Sequence, residues 1–459
     1  MRVPRLLFSA PGSGCGKTTV VCAVLQALAG RGMDPVAFKS GPDYIDPMFH
    51  TAVLGIHSRN LDLFLMGEGA VRRSLRENSA GHGAAILEGA MGYYDGIAMT
   101  SRASAWDLAR RTATPAVLVA DGRGCARSLA ALIKGFQTLE RESMLRGVVL
   151  NRVSPMLYPR LKACVEEETG LKVYGFLPAI PDAALESRHL GLVTAGEVPR
   201  LQEKLSLLAR QAEETLDLDG LLALAETAAS LSGEEEPLPA PHPRRPRIAV
   251  ARDEAFCFYY ADALALLERL GAELVWFSPL RDDALPEGTC GLYLGGGYPE
   301  LHARRLSENR VLLREICGRV LHGLPTVAEC GGFLYLQRFL ADGDSGNDWS
   351  MTGVLSGRAY NTGKLGRFGY VDLTARKDGL LCEAGETIPA HEFHYWDSTA
   401  PGADFRAEKP LSGRGWDCGW HTPTLYAGFP HIHFCGCPRA AERFVAACGQ
   451  YQEKKEGTA

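Results

Sequence analysis

The sequence predicts an α/β protein made of two parallel-sheet domains in tandem, and three observations carry that prediction. Short apolar runs alternate with stretches of helical apolar spacing through the first half of the 459-residue chain. A proline- and charge-rich stretch, LSGEEEPLPAPHPRRPR at 231 to 247, interrupts the pattern. Strand–helix alternation then restarts. A chain of this length exceeds one ordinary core. The expected organisation is therefore a domain at 1–230, a linker at 231–246 and a second domain at 247–459.

In chain order, RLLFSA (5 to 10) reads as a strand and KTTVVCAVLQALA (17 to 29) as a helix. The apolar PVAF before Lys39 reads as another strand. AAILEGA (84 to 90), AVLVADG (116 to 122) and LRGVVLNRV (145 to 153) are apolar runs suited to buried strands. SAWDLARRTA (104 to 113) lies among them as a helix, and leucines and alanines at near-helical intervals predict helix over 197–229. Beyond the linker, RIAVARD (247 to 253) and ELVWFSP (273 to 279) read as strands around a helix at 259–272. The glycine near that helix's end marks its stop. GLYLGGGYPE (291 to 300) and PTVAECGGFLYL (325 to 336) follow.

Bulk properties narrow the function. A net charge of -5 with 22% charged residues gives no basic field for nucleic acid and no polybasic membrane patch. No apolar run approaches the ~18 residues that span a bilayer. The opening MRVPRLLFSAPGSGCGK is too short in its apolar part for a secretory signal. Thirteen scattered cysteines are expected as reduced thiols in a cytoplasm. Cys435 and Cys437 are one residue apart, too close for the usual zinc knuckle.

SAPGSGCGKTT (9 to 19) is a phosphate-loop variant. Gly16-Lys17-Thr18 fits the Walker A rule, with Gly12 and Gly14 adding freedom, but Pro11 stands where the rule has glycine. Backbone N–H groups and the following helix N-terminus suit phosphate. Lys17 is expected on the outer phosphates and the Thr18 hydroxyl on Mg²⁺, the nucleotide being ATP. FKSGPDYIDPMFH (38 to 50) and LEGAMGYYDG (87 to 96) bring Lys39, Asp43, Asp46 and Glu88 to strand-end loops. Ligand groups gather there in open parallel sheets. Turn formation and capping are the plainer roles for these acids.

Cys330 follows the apolar PTVA run and precedes two glycines and a helix-like FLYLQRFL. Strand, tight turn and helix form the elbow of acyl-transfer enzymes. A helix N-terminus is expected to favour the thiolate. The Gly331 N–H and a donor from the Gly295–Gly297 run, Gly297 in particular, would form an oxyanion site. The base must be a distant histidine, and GFPHIHFCG (428 to 436) offers His431 and His433. A buried core cysteine is the plainer reading of Cys330.

Taken in order, SGPDYIDP with His50, LEGAMGYYDG, LNRV (150 to 153), AECGGFLYL, HEFHY (391 to 395) and HIHF (431 to 434) resemble the cobyrinic acid a,c-diamide synthase family along essentially the whole chain. That family comprises glutamine-dependent amidotransferases of corrinoid biosynthesis. The resemblance implies an N-terminal dethiobiotin-synthetase-like P-loop domain, in which loops like this variant are common, and a C-terminal class I glutamine amidotransferase-like α/β domain. It implies ATP binding by Gly12, Gly14, Gly16, Lys17, Thr18, Thr19 and Lys39, with Asn151 reading adenine. Thr18, Asp43 and Glu88 would arrange Mg²⁺.

Tyr44, Asp46 and Asp95 would place the substrate carboxylate, and His391 and His394 would face the same synthetase site. A strand with plain polar alternation is the other reading of HEFHY. Cys330 would attack glutamine with His431 as base and His433 as its rival. Common class I glutaminases carry His-x-Glu; here the position two after His431 is His433, which leaves the orienting group open. The implied partners are small molecules, a corrinoid acid, glutamine and ATP; both monomer and homo-oligomer stay open. The implied chemistry amidates the a- and c-acetates of cobyrinic acid through an acyl phosphate. Hydrogenobyrinic acid and nickel sirohydrochlorin are alternative macrocycles, and a partition-type switch ATPase with an inert thiol domain is the alternative class.

Overall fold

The computed structural model describes residues 3–183, 198–231, 237–342 and 346–457. The chain forms two compact units, Met1–Leu63 with Gly67–Glu235, and Glu236–Ala459 with Phe64–Met66.

The first unit is built on seven strands: β1 (Arg5–Ser9), β2 (Pro35–Ser40), β3 (Ser58–Leu61), β4 (Ala84–Glu88), β5 (Ala116–Asp121), β6 (Leu145–Asn151) and β7 (Lys172–Leu177). They pair in the order β3-β2-β4-β1-β5-β6-β7, every pair parallel. β1, β2 and β4 are buried along their whole length, which is why their sequences run apolar rather than alternate. All strands point one way, so the chemistry-bearing residues Lys39, Glu88, Asp121 and Asn151 collect at one edge of the sheet. Helix α1 (Lys17–Gly30) buries Val20, Val21, Val24, Leu25 and Leu28, and shares a core with Leu205, Leu208 and Ala212.

The single helix expected over 197–229 is two, Val198–Thr215 and Leu218–Glu226; residue 197 lies outside the described residues. The break has a local cause. The Asp217 carboxylate caps the second helix by accepting the Gly220 N–H at 2.8 Å. The Asp217 N–H itself bonds to the Tyr174 carbonyl, and Leu216 bridges to Gly175 on β7.

The second unit has a six-stranded sheet. β8 (Arg247–Ala251), β9 (Glu273–Phe277), β10 (Thr289–Leu294) and β11 (Thr326–Glu329) run parallel with Leu425–Gly428. Trp420–Thr422 closes one edge antiparallel. Its core gathers Phe256, Leu292, Leu294, Phe333, Tyr335 and Phe429. The helix predicted at 259–272 spans Ala261–Arg269 and stops at Gly271, where φ is 98°. Two further sheets were not foreseen by strand–helix alternation. One has five antiparallel strands, including Arg367–Ala375 paired with Thr387–His394 and, beyond it, His431–Ile432. The other has four short strands.

Of the expected linker, residues 232–236 lie outside the described residues. The remainder packs on the second unit. The His242 N–H bonds to the Leu270 carbonyl at 2.8 Å, and Arg244 pairs with Glu453 and Glu456.

Candidate active sites

In the first unit β1 delivers the chain into a glycine turn that opens α1. Gly16 caps the helix at φ 85° and ψ 27°, a left-handed conformation that favours glycine. A Cβ there would also lie 2.2 Å from Asn151 Nδ2. The turn is braced from the end of β6. Asn151 Nδ2 donates to the Cys15 carbonyl at 2.8 Å, and Asn151 Oδ1 accepts the Arg152 N–H at 3.0 Å. Arg152 donates to the Gly14 carbonyl at 2.8 Å and to Asp121 at 2.7 Å. The Asn151 side-chain N–H thus braces the loop from the end of β6. Arg152 and Asp121 were not foreseen. They lie at strand ends, but no phosphate-loop rule names them.

Lys17 donates to the Gly12 carbonyl at 3.2 Å and to the Met91 carbonyl. Burial, with Lys39 nearby, pushes its pKa down. Thr18 and Thr19 open α1, half-buried. The Thr18 hydroxyl donates to Glu88 Oε1 at 2.6 Å, and Lys39 Nζ donates to the same oxygen at 2.9 Å. Lys39 also pairs with Asp46, and Asp43 stands 3.9 Å away. Burial opposes the charge on Lys39, but Glu88, Asp46 and Asp43 outweigh it and hold its pKa high. Desolvation raises Asp43 to about 6, with Asp46 adding to it. Glu88 is also raised by burial, whereas Lys39 overcomes burial at Asp46 and lowers it.

Lys39, Asp43, Asp46, Thr18 and Glu88 therefore meet, as the sequence implied. Asp46 is engaged with Lys39. Asp95 accepts the Gly92 N–H at 2.9 Å, closing the turn after β4. Tyr44 precedes the short helix Ile45–Phe49. His50 joins the cluster unforeseen. It is fully buried, with Nε2 at 3.8 Å from Glu88 Oε2, and burial lowers its pKa to about 4.

In the second unit Cys330 sits between β11 and the helix Gly331–Leu336 at φ 47°, ψ -101°. That conformation is strained for a residue with a Cβ, and it is the elbow of a nucleophile. Two close approaches hold it. The Cys330 N–H bonds to the Gly428 carbonyl at 2.8 Å, and the Gly332 N–H to the Gly295 carbonyl at 2.9 Å. A Cβ on Gly332 would stand 2.1 Å from the Leu294 carbonyl oxygen. A Cβ on Gly331 would stand 3.0 Å from the Gly297 nitrogen, so the two expected oxyanion donors are neighbours.

A helix N-terminus favours the thiolate, and the burial of this thiol works against it. Burial pushes it up to about 12; Glu300, Glu329 and Glu392 add to the shift, and only the Gly331 amide pulls against it. Six helical residues supply too little field to offset that desolvation.

His431 is buried on the strand His431–Ile432, close enough to Gly296 that a Cβ there would meet its Cε1 at 2.5 Å. Burial, reinforced by His391 and His394, lowers it to about 3, so it is neutral and able to accept a proton. His433 stacks on Tyr260 at 4.5 Å and accepts the Cys435 N–H at 3.3 Å, and burial lowers it to about 3. Glu329 Oε2 lies 3.9 Å from His431 Nδ1. Sequence reasoning passed over this residue because neighbours on a strand point to opposite faces.

HEFHY splits the same way. Glu392 and His394 are buried, 3.6 Å apart, with His394 stacked on Phe429 at 3.9 Å. His391 lies on the other face, against Phe368 and Tyr370. His394 thus packs on Phe429 beside Glu392. The Cys435 thiol donates to the Asp262 carbonyl and the Cys437 thiol to that of His433.

A phosphate loop in one unit and a cysteine elbow in the other define an ATP-dependent ligase with a glutaminase unit. The comparisons with known proteins agree. Residues 6–193 match the CobQ/CobB/MinD/ParA nucleotide binding domain, and residues 247–436 the CobB/CobQ-like glutamine amidotransferase domain. The chain is 39% identical over 445 residues to a protein of Caldanaerobacter subterraneus subsp. tengcongensis, covering 96% of this chain and 98% of that one. It is 38% identical to a Salmonella typhimurium protein (96% and 97%) and 37% identical to one from Thermoplasma volcanium (99% and 100%). All three are called Cobyrinate a,c-diamide synthase. The chain belongs to the cobyrinate a,c-diamide synthase family, glutamine-dependent carbon–nitrogen ligases that use ATP.

Proposed function

We propose that the protein amidates the a- and c-acetate carboxylates of cobyrinic acid in the cytoplasm, with ATP as energy source and glutamine as nitrogen donor. One observation carries the reading: relatives bearing that substrate in their names match 96% or more of this chain, through both the phosphate loop and the cysteine elbow. The chemistry follows from the two sites. A carboxylate is a poor electrophile, and γ-phosphoryl transfer makes it an acyl phosphate. Positioning and charge neutralisation do most of that work. Lys17 and Lys39 supply the charge, and the braced loop supplies aligned N–H groups.

The residues present fit Mg²⁺. Glu88 Oε2 is buried with no hydrogen-bond partner, its Oε1 takes the Thr18 hydroxyl and Lys39, and Asp43 stands 3.9 Å from Lys39 Nζ. Thr18, Glu88 and Asp43 would hold the ion, which would neutralise phosphate charge. In the second unit, neutral His431 takes the Cys330 proton as sulfur attacks the glutamine carboxamide. Gly331 and Gly297 N–H groups face the developing oxyanion. The thioester forms as ammonia leaves, water then releases glutamate, and the ammonia attacks the acyl phosphate.

The test is Cys330→Ala. Glutamine-dependent amidation should fall at least about 1000-fold, while amidation with high ammonium salt stays within about twofold. The readout is mass spectrometry of the corrinoid, with two successive carboxylate-to-amide mass changes. Loss of both activities would defeat the division of labour.

A further inference from the structure

We infer that Glu329, the residue immediately before the nucleophile, is the positioning residue that orients His431 by accepting its Nδ1–H. The inference rests on the reading of Cys330 and His431 as nucleophile and base. A neutral imidazole serves as base at Nε2 only when its single proton sits on Nδ1 and an acceptor holds it there. The position that supplies this acceptor in a His-x-Glu arrangement is here His433. That ring is committed elsewhere, stacked on Tyr260 and accepting the Cys435 N–H through Nδ1.

The other buried acid on the neighbouring strand, Glu392, stands at 3.6 Å from His394 Nε2. Glu329 remains, with Oε2 at 3.9 Å from His431 Nδ1 and the carboxylate enclosed. It is fixed from two further elements. The Ile432 N–H donates to Oε1 at 2.9 Å, and the Tyr293 hydroxyl donates to Oε2 at 3.1 Å. A carboxylate gripped by two donors is a rigid reference for a third. Catalytic hydrogen bonds that are long in the free enzyme tighten in the substrate complex.

The chain geometry explains how adjacent residues serve one reaction. Glu329 ends β11 and pairs in register with Gly428, and the elbow turns immediately after it. Glu329 thus stands 3.9 Å from His431 Nδ1, and Cys330 follows it directly on the elbow. The proton balance is simple: the Cys330 proton moves to His431 Nε2, the resulting imidazolium keeps its Nδ1 proton directed at Glu329, and the Nε2 proton leaves with ammonia.

The experiment is Glu329→Gln in the full chain, with glutamine hydrolysis and both amidation modes measured on one preparation. Expected is a fall of about 10²- to 10⁴-fold in kcat for glutamine hydrolysis, with KM for glutamine within about threefold. Ammonium-dependent amidation is expected to be unchanged. A kcat within about threefold of wild type overturns the inference, and so does a loss that appears in KM, which would make Glu329 a structural prop. Should the Gln variant not fold, Glu329→Asp is read on the same axes: reduced kcat at constant KM supports, and no change or a KM loss overturns. Failure of Cys330→Ala to stop glutamine hydrolysis would instead remove the underlying reading, so the two failures are separable.

Discussion

At the scale of one residue, Glu329 also reports on stability. Burial raises its carboxyl from 4.5 to about 8, against the Ile432 N–H and Tyr293 hydroxyl bonds that favour the ionised form. The folded chain therefore binds this proton more tightly than the unfolded chain. The associated stability is complete below about pH 4.5 and drains away as pH rises through 8. Glutamine at this position keeps an acceptor for Ile432 and has no proton to lose. Glu329→Gln is thus expected to unfold at a higher temperature than wild type at pH 8, by up to about 5 kcal/mol in the limit, with the gap shrinking toward pH 5. Calorimetry across that range checks it. A variant less stable than wild type at pH 8 would contradict the burial of this carboxyl. Lower activity with higher stability is the trade expected of a buried acid kept for chemistry.

At the scale of the element, the nucleophile elbow depends on two backbones approaching where only glycine fits. Gly332→Ala puts a methyl 2.1 Å from the Leu294 carbonyl oxygen on β10, and neither backbone can yield without moving Cys330. The variant should lose about 1–3 kcal/mol of stability. Glutamine-dependent amidation should fall about tenfold or more while ammonium-dependent amidation persists. Wild-type rates with glutamine would show the elbow to be tolerant. Elements of this kind were legible in sequence, because strand, glycine turn and helix are local events. PTVAECGGFLYL and SAPGSGCGKTT each became the element their residues dictate, and so did the buried parallel strands. What stayed hidden is long-range. Nothing local shows that Arg152 will reach the Gly14 carbonyl, 138 residues away, or that Glu329 will face His431 across the end of a sheet. The short polar β3 and the antiparallel strands after residue 358 lack the continuous apolar run that marked the parallel ones. Their pairing is set by partners distant in the chain.

At the scale of the whole molecule, the two units carry opposite proton ledgers, so acidification should part them. Among the described residues of the second unit burial lowers five histidines: His391, His431 and His433 to about 3, His421 to about 4, and His302 as well. A histidine with a lowered pKa contributes stability that is present above its unfolded value of 6.5 and lost as pH falls below it. Glu300, raised by burial to about 7, and Glu329 at about 8 work in the opposite sense over the same range. The histidines outweigh the two acids. Near pH 5.5 the second unit should take up about two protons on unfolding and lose about 3 kcal/mol of stability for each further unit of pH. Among its described residues the first unit has one such histidine, His50 at about 4, against two raised carboxyls, Asp43 at about 6 and Glu88. The balance there reverses, and that unit should hold or gain stability over the same interval. Two units of this kind need not unfold as one cooperative body. Hydrogen exchange resolved by peptide, corrected for intrinsic rates and compared at pH 7 and about pH 5.5, distinguishes the outcomes. Protection should fall across β8, β10, β11 and Leu425–Gly428 while it persists across β1, β2 and β4. Loss in the first sheet before the second would mean that the buried histidines do not set the acid limit of this fold.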